Sequence, residues 1–299
     1  MSDQMGTLIA LSGEERFQDL ARLLTLLEST GPQSLSHSEL LQSQKTALRV
    51  GITGPPGAGK STLVGQLIRH WRKVGAKVGV LAVDPSSPFS GGAILGDRIR
   101  YSEHFSDPGV FIRSLGSRGS LGGLSASSYL MLRAFDLWSF DLVLVETVGV
   151  GQSEIDILHV ADLVILVLVP ESGDSVQAMK AGLMEIADLF VVNKADRPGS
   201  ESLAREIQFY FPPQETSDVS EKIFQTVATE GSGIGQLAQA IRKVGDKLDL
   251  PNRRQDPLRL RQEAIALLKG KWDAQIYHRA ENINSVQDLQ KLVLDCCIN

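Results

Sequence analysis

Cysteine is scarce in this chain of 299 residues, and the only two, Cys296 and Cys297, are neighbours. Two adjacent cysteines allow neither a disulfide framework nor a C-x-x-C metal site, so a reducing cytoplasm is the simplest compartment to expect. An excess of positive charge is also missing, because 30 basic and 35 acidic residues give a formal charge of −5. This balance argues against a protein that binds nucleic acid through a basic face.

Long apolar runs are absent as well. The longest run, Leu163 to Val169, is far shorter than the roughly 18 residues of a membrane span and is typical of a buried strand. The first residues, Met-Ser-Asp-Gln-Met-Gly, resemble neither a signal peptide nor an arginine-rich transit peptide. We therefore expect a cytoplasmic protein with no membrane association.

The middle of the chain alternates two patterns, which predict strands and helices in turn. Short Val/Ile/Leu-rich runs predict strands at Leu48 to Thr53, Val78 to Val83, Val110 to Ser114, Leu142 to Glu146, Leu163 to Val169, Leu189 to Asn193 and Ile223 to Ala228. Helical patterns lie at Ser61 to Val74, Ser125 to Leu137, Ser175 to Ile186, Ser200 to Phe209 and Gly235 to Leu248. Continuous apolar strands that alternate with helices predict an α/β fold with a mostly parallel sheet.

Helical extensions flank this region on both sides. Apolar residues recur at three- and four-residue spacing over 17–27, which predicts an amphipathic helix. Near the other end, Asn252 to Asp256 is expected to be a charged linker that leads to further helices. The predicted organisation is a helical segment at 1–46, a central domain at 47–248 and a helical extension at 249–299.

A glycine-rich motif joins the first predicted strand to the first predicted helix. It matches G-x-x-x-x-G-K-[ST], and its residues are Gly54, Pro55, Pro56, Gly57, Ala58, Gly59, Lys60 and Ser61, followed by Thr62. Glycines let the backbone wrap around phosphates with its N–H groups inward, and the helix N-terminus adds positive dipole character. We expect Lys60 to reach the β- and γ-phosphates and Ser61 to offer its hydroxyl to Mg²⁺.

A second motif, Asn193-Lys194-Ala195-Asp196, follows a buried strand and is typical of a guanine-binding loop. The Asp196 carboxylate can accept both donors that guanine presents side by side, N1–H and the exocyclic amine. Lys194 can lie along the base, and Asn193 can tie this loop to the phosphate loop. A backbone clamp for the guanine O6 is one interpretation, and a plain strand end an equal one, for Thr226, Val227 and Ala228.

Acidic residues at predicted strand ends complete the candidate site. Glu146 fits a position that holds Mg²⁺ through water or orients the attacking water, and Gly149, three residues later, could donate its N–H to the γ-phosphate. A strand-end acid without that role is the alternative. Asp84 and Asp97 flank a glycine-rich stretch suited to Mg²⁺ and phosphate sensing, or an ordinary surface loop. Val150 stands where Ras-like proteins have a water-orienting glutamine, so slow intrinsic GTP hydrolysis is expected.

Together these motifs resemble the MeaB/ArgK family, which are G-protein chaperones of adenosylcobalamin-dependent acyl-CoA mutases. The resemblance depends on the stretches at 54–62, 83–98, 117–124, 146–154 and 193–196. It implies a P-loop NTPase G domain with helical extensions, a homodimer, and GTP/GDP and Mg²⁺ as ligands. It also implies a client such as methylmalonyl-CoA mutase, an indirect link to a cobalamin adenosyltransferase, and a role in gating cofactor loading and protecting the mutase.

The resemblance further implies roles for single residues. The nucleotide–Mg²⁺ site would consist of Lys60, Ser61, Asp84, Asp97 and Glu146. Lys180, in a stretch that matches the family's additional switch, would be a mobile activating cation in hydrolysis, whereas sequence alone favours a solvated helix face.

Three other functions compete with this hypothesis. A nickel-insertion GTPase of the same fold class usually carries His/Cys clusters, and this sequence has none. A P-loop kinase is disfavoured by the guanine motif at 193–196 and by the switch motifs. A nucleotide-locked scaffold is disfavoured by Glu146, Asp84 and Asp97.

Overall fold

Seven parallel strands form the centre of the molecule. The computed structural model describes residues 2–14, 16–36, 38–41, 46–84, 100–116, 124–147, 153–170, 182–211 and 219–280. The strands are β1 (Leu48–Thr53), β2 (Val78–Asp84), β3 (Val110–Gly116), β4 (Leu142–Thr147), β5 (Leu163–Leu168), β6 (Leu189–Asn193) and β7 (Ile223–Thr226). They pair in parallel in the order β3-β2-β4-β1-β5-β6-β7. The predicted α/β class with a parallel sheet is confirmed.

Helices cover both faces of this sheet in the described ranges. They are α1 (Ser2–Ala10), α2 (Phe17–Thr30), α3 (Lys60–Lys73), α4 (Ala126–Leu137), α5 (Ser153–Val160), α6 (Leu183–Ile186), α7 (Ser200–Tyr210), α8 (Ile234–Gly245), α9 (Leu250–Arg254) and α10 (Pro257–Ala280). One apolar layer joins the sheet to α1, α2, α4 and α5, and another joins it to α3 and α8. Because both faces are covered, the central strands are buried along their whole length, which explains their continuous apolar runs.

A glycine in the central strand permits close packing of one helix. A Cβ atom at Gly51 in β1 would come within 2.6 Å of Ile157 Cγ1 and 2.9 Å of Ala161 Cβ. Any larger residue would therefore push α5 away from the sheet. This contact fixes the helix that begins directly after residues 148–152, which connect it to β4 and lie outside the described residues.

The strand predictions are confirmed, with small differences at the ends. The predicted strand at Ile223 to Ala228 ends at Thr226, because Val227 leaves the ladder and forms an antiparallel bridge with Ser232. Helix α5 was not predicted, since its eight residues carry too short a pattern. Of the helix predicted at Ser175 to Ile186, only Leu183–Ile186 lies within the described residues.

The charged linker predicted at Asn252 to Asp256 is wrong over most of its length, because α9 occupies Leu250–Arg254. Asp249 caps this helix by accepting the Asn252 N–H at 3.3 Å, and a proline stands in its first turn. Helix α10 then begins at Pro257, directly after the predicted linker. None of the helices in the described ranges combines the length and apolar character that a membrane crossing requires.

Candidate functional site

The candidate site is a cavity at the carboxyl ends of the central strands. It has a volume of about 710 Å³ and is lined by the phosphate loop, the first turns of α3 and polar side chains that include Arg69, Arg100, Glu103 and Glu146. In open parallel sheets, ligands bind at this edge, where helix N-termini and strand ends converge. The topology therefore places the glycine-rich motif where a phosphate ligand is expected.

The phosphate loop needs its glycines for specific steric reasons. Gly54, Gly57 and Gly59 have φ angles of 138°, 79° and 87°, which L side chains rarely adopt. A Cβ at Gly54 would lie 2.1 Å from Val167 O, and one at Gly59 would lie 2.4 Å from Asn193 Nδ2. The loop thus lies directly against β5 and against the guanine-binding motif, with no room for a side chain at either point.

The Lys60 side chain is held by the phosphate loop itself. Its Nζ atom donates to Gly54 O at 2.6 Å and to Pro55 O at 3.0 Å, and the residue is 6% exposed. Lys60 is also the first residue of α3, whose first-turn N–H groups give this end of the helix positive character. A cation and a helix N-terminus therefore stand at the same point, an arrangement that favours bound phosphate.

A hydroxyl and a carboxylate face each other next to this loop. Ser61 Oγ donates to Glu146 Oε1 at 2.6 Å, and Arg100 Nη1 donates to Ser61 Oγ at 3.1 Å. The other carboxylate oxygen, Glu146 Oε2, accepts a hydrogen bond from the Tyr101 hydroxyl. Mg²⁺ prefers oxygen ligands such as hydroxyl and carboxylate groups, so Ser61 and Glu146 fit the ion that a P-loop GTPase uses.

The sequence motifs did not single out Arg100 and Tyr101. They follow shortly after the stretch at 83–98 but belong to none of the motifs, and the fold brings them to Ser61 and Glu146. The ring of Tyr101 belongs to the apolar layer between α3 and the sheet, and the residue is 1% exposed. An aromatic residue in such a layer gives no sequence signal that its hydroxyl meets an acid.

Asn193 joins the guanine-binding motif to the phosphate loop. Its Nδ2 donates to Ala58 O at 2.8 Å, while its Oδ1 accepts from Thr226 Oγ1 at 3.0 Å and from the Ala228 N–H at 3.2 Å. Asn193 is 2% exposed, so these bonds are shielded from water. The stretch from Thr226 to Ala228 thus lies against Asn193, and Val227 between them bridges to Ser232.

The turn after β6 presents the remaining residues of that motif. Lys194 has a φ of 57°, a left-handed conformation that costs a non-glycine residue roughly 1–2 kcal/mol. The N–H of Ala195 donates to Thr226 O at 3.0 Å and that of Arg197 to Lys194 O at 3.0 Å, which stabilises the turn. Asp196 is exposed at its tip, where a ligand can reach the carboxylate.

The structure brings only part of the predicted site together. Lys60, Ser61 and Glu146 line the same cavity, and Ser61 bonds to Glu146. Asp84 is placed only by its backbone, at the end of β2 next to Gly116 of β3. Asp97, Gly149 and Lys180 lie outside the described residues. The roles of all these residues in binding and catalysis stay predictions.

Comparison with known proteins identifies relatives along most of the chain. The profile of the family described as "Methylmalonyl Co-A mutase-associated GTPase MeaB" matches residues 20–280. The Escherichia coli protein named GTPase ArgK is 38% identical over 233 residues, which are 74% of this chain and 70% of that protein. A Mus musculus protein named "Methylmalonic aciduria type A homolog, mitochondrial" is 34% identical over 244 residues, 75% of this chain and 59% of that protein.

One solved structure is similar over almost the whole chain. A crystal structure described as a LAO/AO transport system kinase superposes with a TM-score of 0.66 and 25% sequence identity. The match covers 98% of this chain and 98% of that one. The architecture seen here, with its helices on both sides of the central region, is therefore also found in that solved structure.

Proposed function

The chain belongs to the MeaB family of methylmalonyl-CoA mutase-associated GTPases, and we propose that its GTP cycle gates adenosylcobalamin loading into an acyl-CoA mutase and protects that mutase. Its activity is the hydrolysis of GTP to GDP and phosphate. The family match over residues 20–280 is the observation that carries the choice of client. The name of the mouse relative, which refers to methylmalonic aciduria, supports the same class of client.

The phosphate loop is the proposed site of charge stabilisation. A water molecule attacks the γ-phosphorus, the bond to the β–γ bridging oxygen breaks, GDP leaves, and the proton of the water passes to the released phosphate. Negative charge grows on the bridging and γ-oxygens during this step. The Lys60 ammonium, which bonds to Gly54 O at 2.6 Å within the phosphate loop, and the N-terminus of α3 are the positive groups proposed to stabilise this charge.

Ser61 and Glu146 are the described residues proposed to hold Mg²⁺, with Asp84 and Asp97 as further oxygen donors from the sequence prediction. Bound there, Mg²⁺ would supply positive charge against the β- and γ-phosphate oxygens. The Ser61 Oγ to Glu146 Oε1 distance of 2.6 Å supports this assignment, because both oxygens already point to one place. Gly149 is proposed to donate its N–H to the γ-phosphate.

Guanine selectivity is assigned to the turn after β6. The Asp196 carboxylate would accept N1–H and the exocyclic amine of guanine, and adenine lacks that pair of donors. Against adenine the carboxylate would lose both bonds to the base, and a hydrogen bond to a charged group contributes roughly 1.5–3 kcal/mol. Asn193 holds this turn against the phosphate loop, because its side chain donates to Ala58 O at 2.8 Å.

Slow intrinsic turnover is part of the proposal. The apolar Val150 and the cation Lys180 are assigned from the sequence alone, as the missing water-orienting side chain and as an activating group. We therefore expect the client mutase to raise the hydrolysis rate when it binds. Such coupling would let nucleotide state report on the mutase.

A homodimer is proposed from one face of α10. Leu258, Ile265, Leu268 and Trp272 are 68%, 58%, 58% and 48% exposed, and they recur along the helix at seven-, three- and four-residue intervals. The opposite face is fixed to the domain, where Glu263 bonds to Arg133 at 2.6 Å. An apolar stripe with this spacing suits pairing with a second copy of the same helix.

Sedimentation equilibrium tests the dimer with a charged substitution in the stripe. Leu268→Glu places a charge where two copies would meet, so the variant should sediment as a monomer at concentrations at which the unchanged chain is a dimer. Phe209→Glu is the matched control, because Phe209 is 80% exposed on α7, away from the stripe. An unchanged mass for Leu268→Glu would contradict this arrangement.

The central test is steady-state GTP hydrolysis with and without a purified cobalamin-dependent acyl-CoA mutase. We expect slow turnover alone, a higher rate with the mutase, and adenosylcobalamin transfer to the mutase that requires GTP hydrolysis. Lys60→Ala should lose both effects. Turnover that no acyl-CoA mutase changes would leave the GTPase activity and refute the client. A phosphorylated acceptor in place of free phosphate would favour a kinase, the activity named for the similar solved structure.

A further inference from the structure

The carboxylate of Glu146 is held from two sides by hydroxyl groups, and the nucleotide-binding motifs account for only one of them. Ser61, which donates to Oε1 at 2.6 Å, belongs to the phosphate loop. Tyr101, which donates to Oε2, belongs to none of the motifs. Both residues that flank the acid are therefore donors, but they come from separate parts of the chain.

The Tyr101 side chain is fixed more firmly than a surface hydroxyl would be. Its ring lies in the apolar layer between α3 and the sheet and is 1% exposed, so the phenol can hardly change its direction. Glu146 is 6% exposed and stands on β4, opposite Ile52 of β1 and Ala82 of β2 in the strand register. A rigid donor thus meets an acid on a rigid strand.

We infer that Tyr101 is a positioning residue, which orients the Glu146 carboxylate so that Oε1 faces Ser61 and the metal. This role depends on the metal-facing position proposed above for Glu146. A carboxylate can otherwise rotate about its last bond, since that torsion is broad. With Oε2 bound to the phenol, Oε1 is directed to the side where the phosphate loop begins α3.

Residue Arg100, next to Tyr101, strengthens the geometric argument. Arg100 Nη1 donates to Ser61 Oγ at 3.1 Å, and Tyr101 donates to Glu146. Two consecutive residues thus contact the two proposed metal ligands. Partners that orient metal ligands in this way commonly affect metal affinity by about 10- to 100-fold. The expected effect of losing the phenol is therefore on the metal rather than on the base or the phosphates.

The test compares Mn²⁺ binding to the GDP complex of the full chain, measured by electron paramagnetic resonance of free Mn²⁺. Tyr101→Phe removes only the hydroxyl, so it should weaken Mn²⁺ binding about 10- to 100-fold and lower kcat. The KM for GTP and the affinity for GDP without metal should stay within about twofold of the unchanged chain. Tyr210→Phe is the matched control, because the partly buried Tyr210 also donates its hydroxyl to a carboxylate, Glu185 Oε1 at 3.3 Å, but outside the cavity.

A double-mutant cycle shows whether Tyr101 acts through the acid. On a Glu146→Gln background, Tyr101→Phe should cost little further Mn²⁺ affinity, because the oriented carboxylate is already gone. An equal loss on both backgrounds would overturn the inference, as would unchanged Mn²⁺ affinity in Tyr101→Phe. If the Tyr101→Phe variant does not fold, the hydroxyl is needed for stability, and that result would overturn the inference too. If Glu146→Gln itself changes neither Mn²⁺ affinity nor hydrolysis, the proposed metal site fails instead.

Discussion

The two ends of the central sheet each bury an acid, and the two acids have opposite surroundings. At the carboxyl end, Glu146 is bonded to the hydroxyls of Ser61 and Tyr101 and lines the cavity. At the amino end, the fully buried Asp162 bonds to Arg254 Nη2 at 2.8 Å and to the N–H of Arg49 at 2.9 Å. One acid keeps neutral partners beside an open cavity, whereas the other is surrounded by cations.

The difference shows how one sheet separates binding from assembly. Neutral hydrogen-bond donors leave the charge of Glu146 available to a cation, whereas arginines neutralise that of Asp162. Arg254 comes from α9, and Arg259 Nη1 on α10 lies 3.2 Å from Asp162 Oδ1. Burial lowers the pKa of Arg49 to about 10, which still leaves it charged at neutral pH. The amino end therefore joins the last helices to the sheet, and the carboxyl end lines the cavity of the proposed nucleotide site.

The largest effect expected is the loss of stability in Asp162→Asn. The amide keeps the shape but removes the negative charge. The buried Arg254 would lose its bond to the carboxylate and keep the longer pair with Asp136 at 3.7 Å, while the partly exposed Arg259 would lose its bond to Asp162, at a cost of about 3–5 kcal/mol. Urea unfolding at pH 7 measures this, while GTP turnover per folded molecule should not change. Glu201→Gln is the control. Glu201 is 80% exposed and its partner Arg205 is 67% exposed, so this ion pair contributes little to the free energy of unfolding. Equal stability of both variants would mean that the amino end does not anchor these helices.

Next in size is the loss of hydrolysis in Lys60→Ala. Removing a group that stabilises charge in the transition state costs about 100- to 1,000-fold in kcat. Stability should change little, unlike in Asp162→Asn, and this contrast separates the two ends of the sheet. Lys73→Ala, an exposed lysine at the end of the same helix, is the matched control in the phosphate-release assay. Normal turnover in Lys60→Ala would refute the phosphate-loop assignment.

Asp196→Asn should weaken GTP binding about 10- to 100-fold, because the amide cannot accept both guanine donors as the carboxylate does. Xanthine carries a carbonyl in place of the amine, and the new amide can donate to it. The affinity for XTP should therefore rise relative to that for GTP. Competition between GTP and XTP for the purified chain measures the ratio. Asp249→Asn, at the cap of α9, serves as a control that should leave nucleotide preference unchanged. An unaltered ratio in Asp196→Asn would contradict guanine recognition by this turn.

The smallest expected effect is a pH dependence of stability from Asp162. Burial acts to raise the pKa of its carboxyl, but the hydrogen bond from Arg254 and the charges of Arg254 and Arg49 outweigh it and lower the pKa. Because its pKa is lowered in the folded protein, the charged carboxylate stabilises the fold. This contribution is complete above the pKa of the unfolded chain, about 3.9, and is lost as the pH falls through the pKa of the folded protein. The gap in unfolding free energy between the unchanged chain and Asp162→Asn should therefore narrow below about pH 4. A constant gap would exclude this titration.

The strands were predictable because both faces of a parallel sheet are buried. Such strands therefore need apolar residues at consecutive positions, as in Leu163–Leu168. The phosphate loop was equally readable, since steric contacts at Gly54 and Gly59 exclude side chains. Helix α5 was not predicted, because eight residues are too few to show a helical period of apolar residues. The linker after Pro251 was misjudged, because Arg253 and Arg254 suggest solvent while Arg254 is 7% exposed and paired with Asp162.

By itself the sequence determined the fold class, the phosphate loop, the guanine-binding turn and the acid on β4, because each depends on neighbours along the chain or on burial of a whole strand. The tertiary structure alone decided the contacts made by side chains outside these motifs. Tyr101 reaches Glu146, and Arg254 reaches Asp162, over separations of 45 and 92 residues. Such contacts follow from strand order and helix packing, and no local pattern records them, because a buried tyrosine or arginine looks the same in sequence whatever its partner.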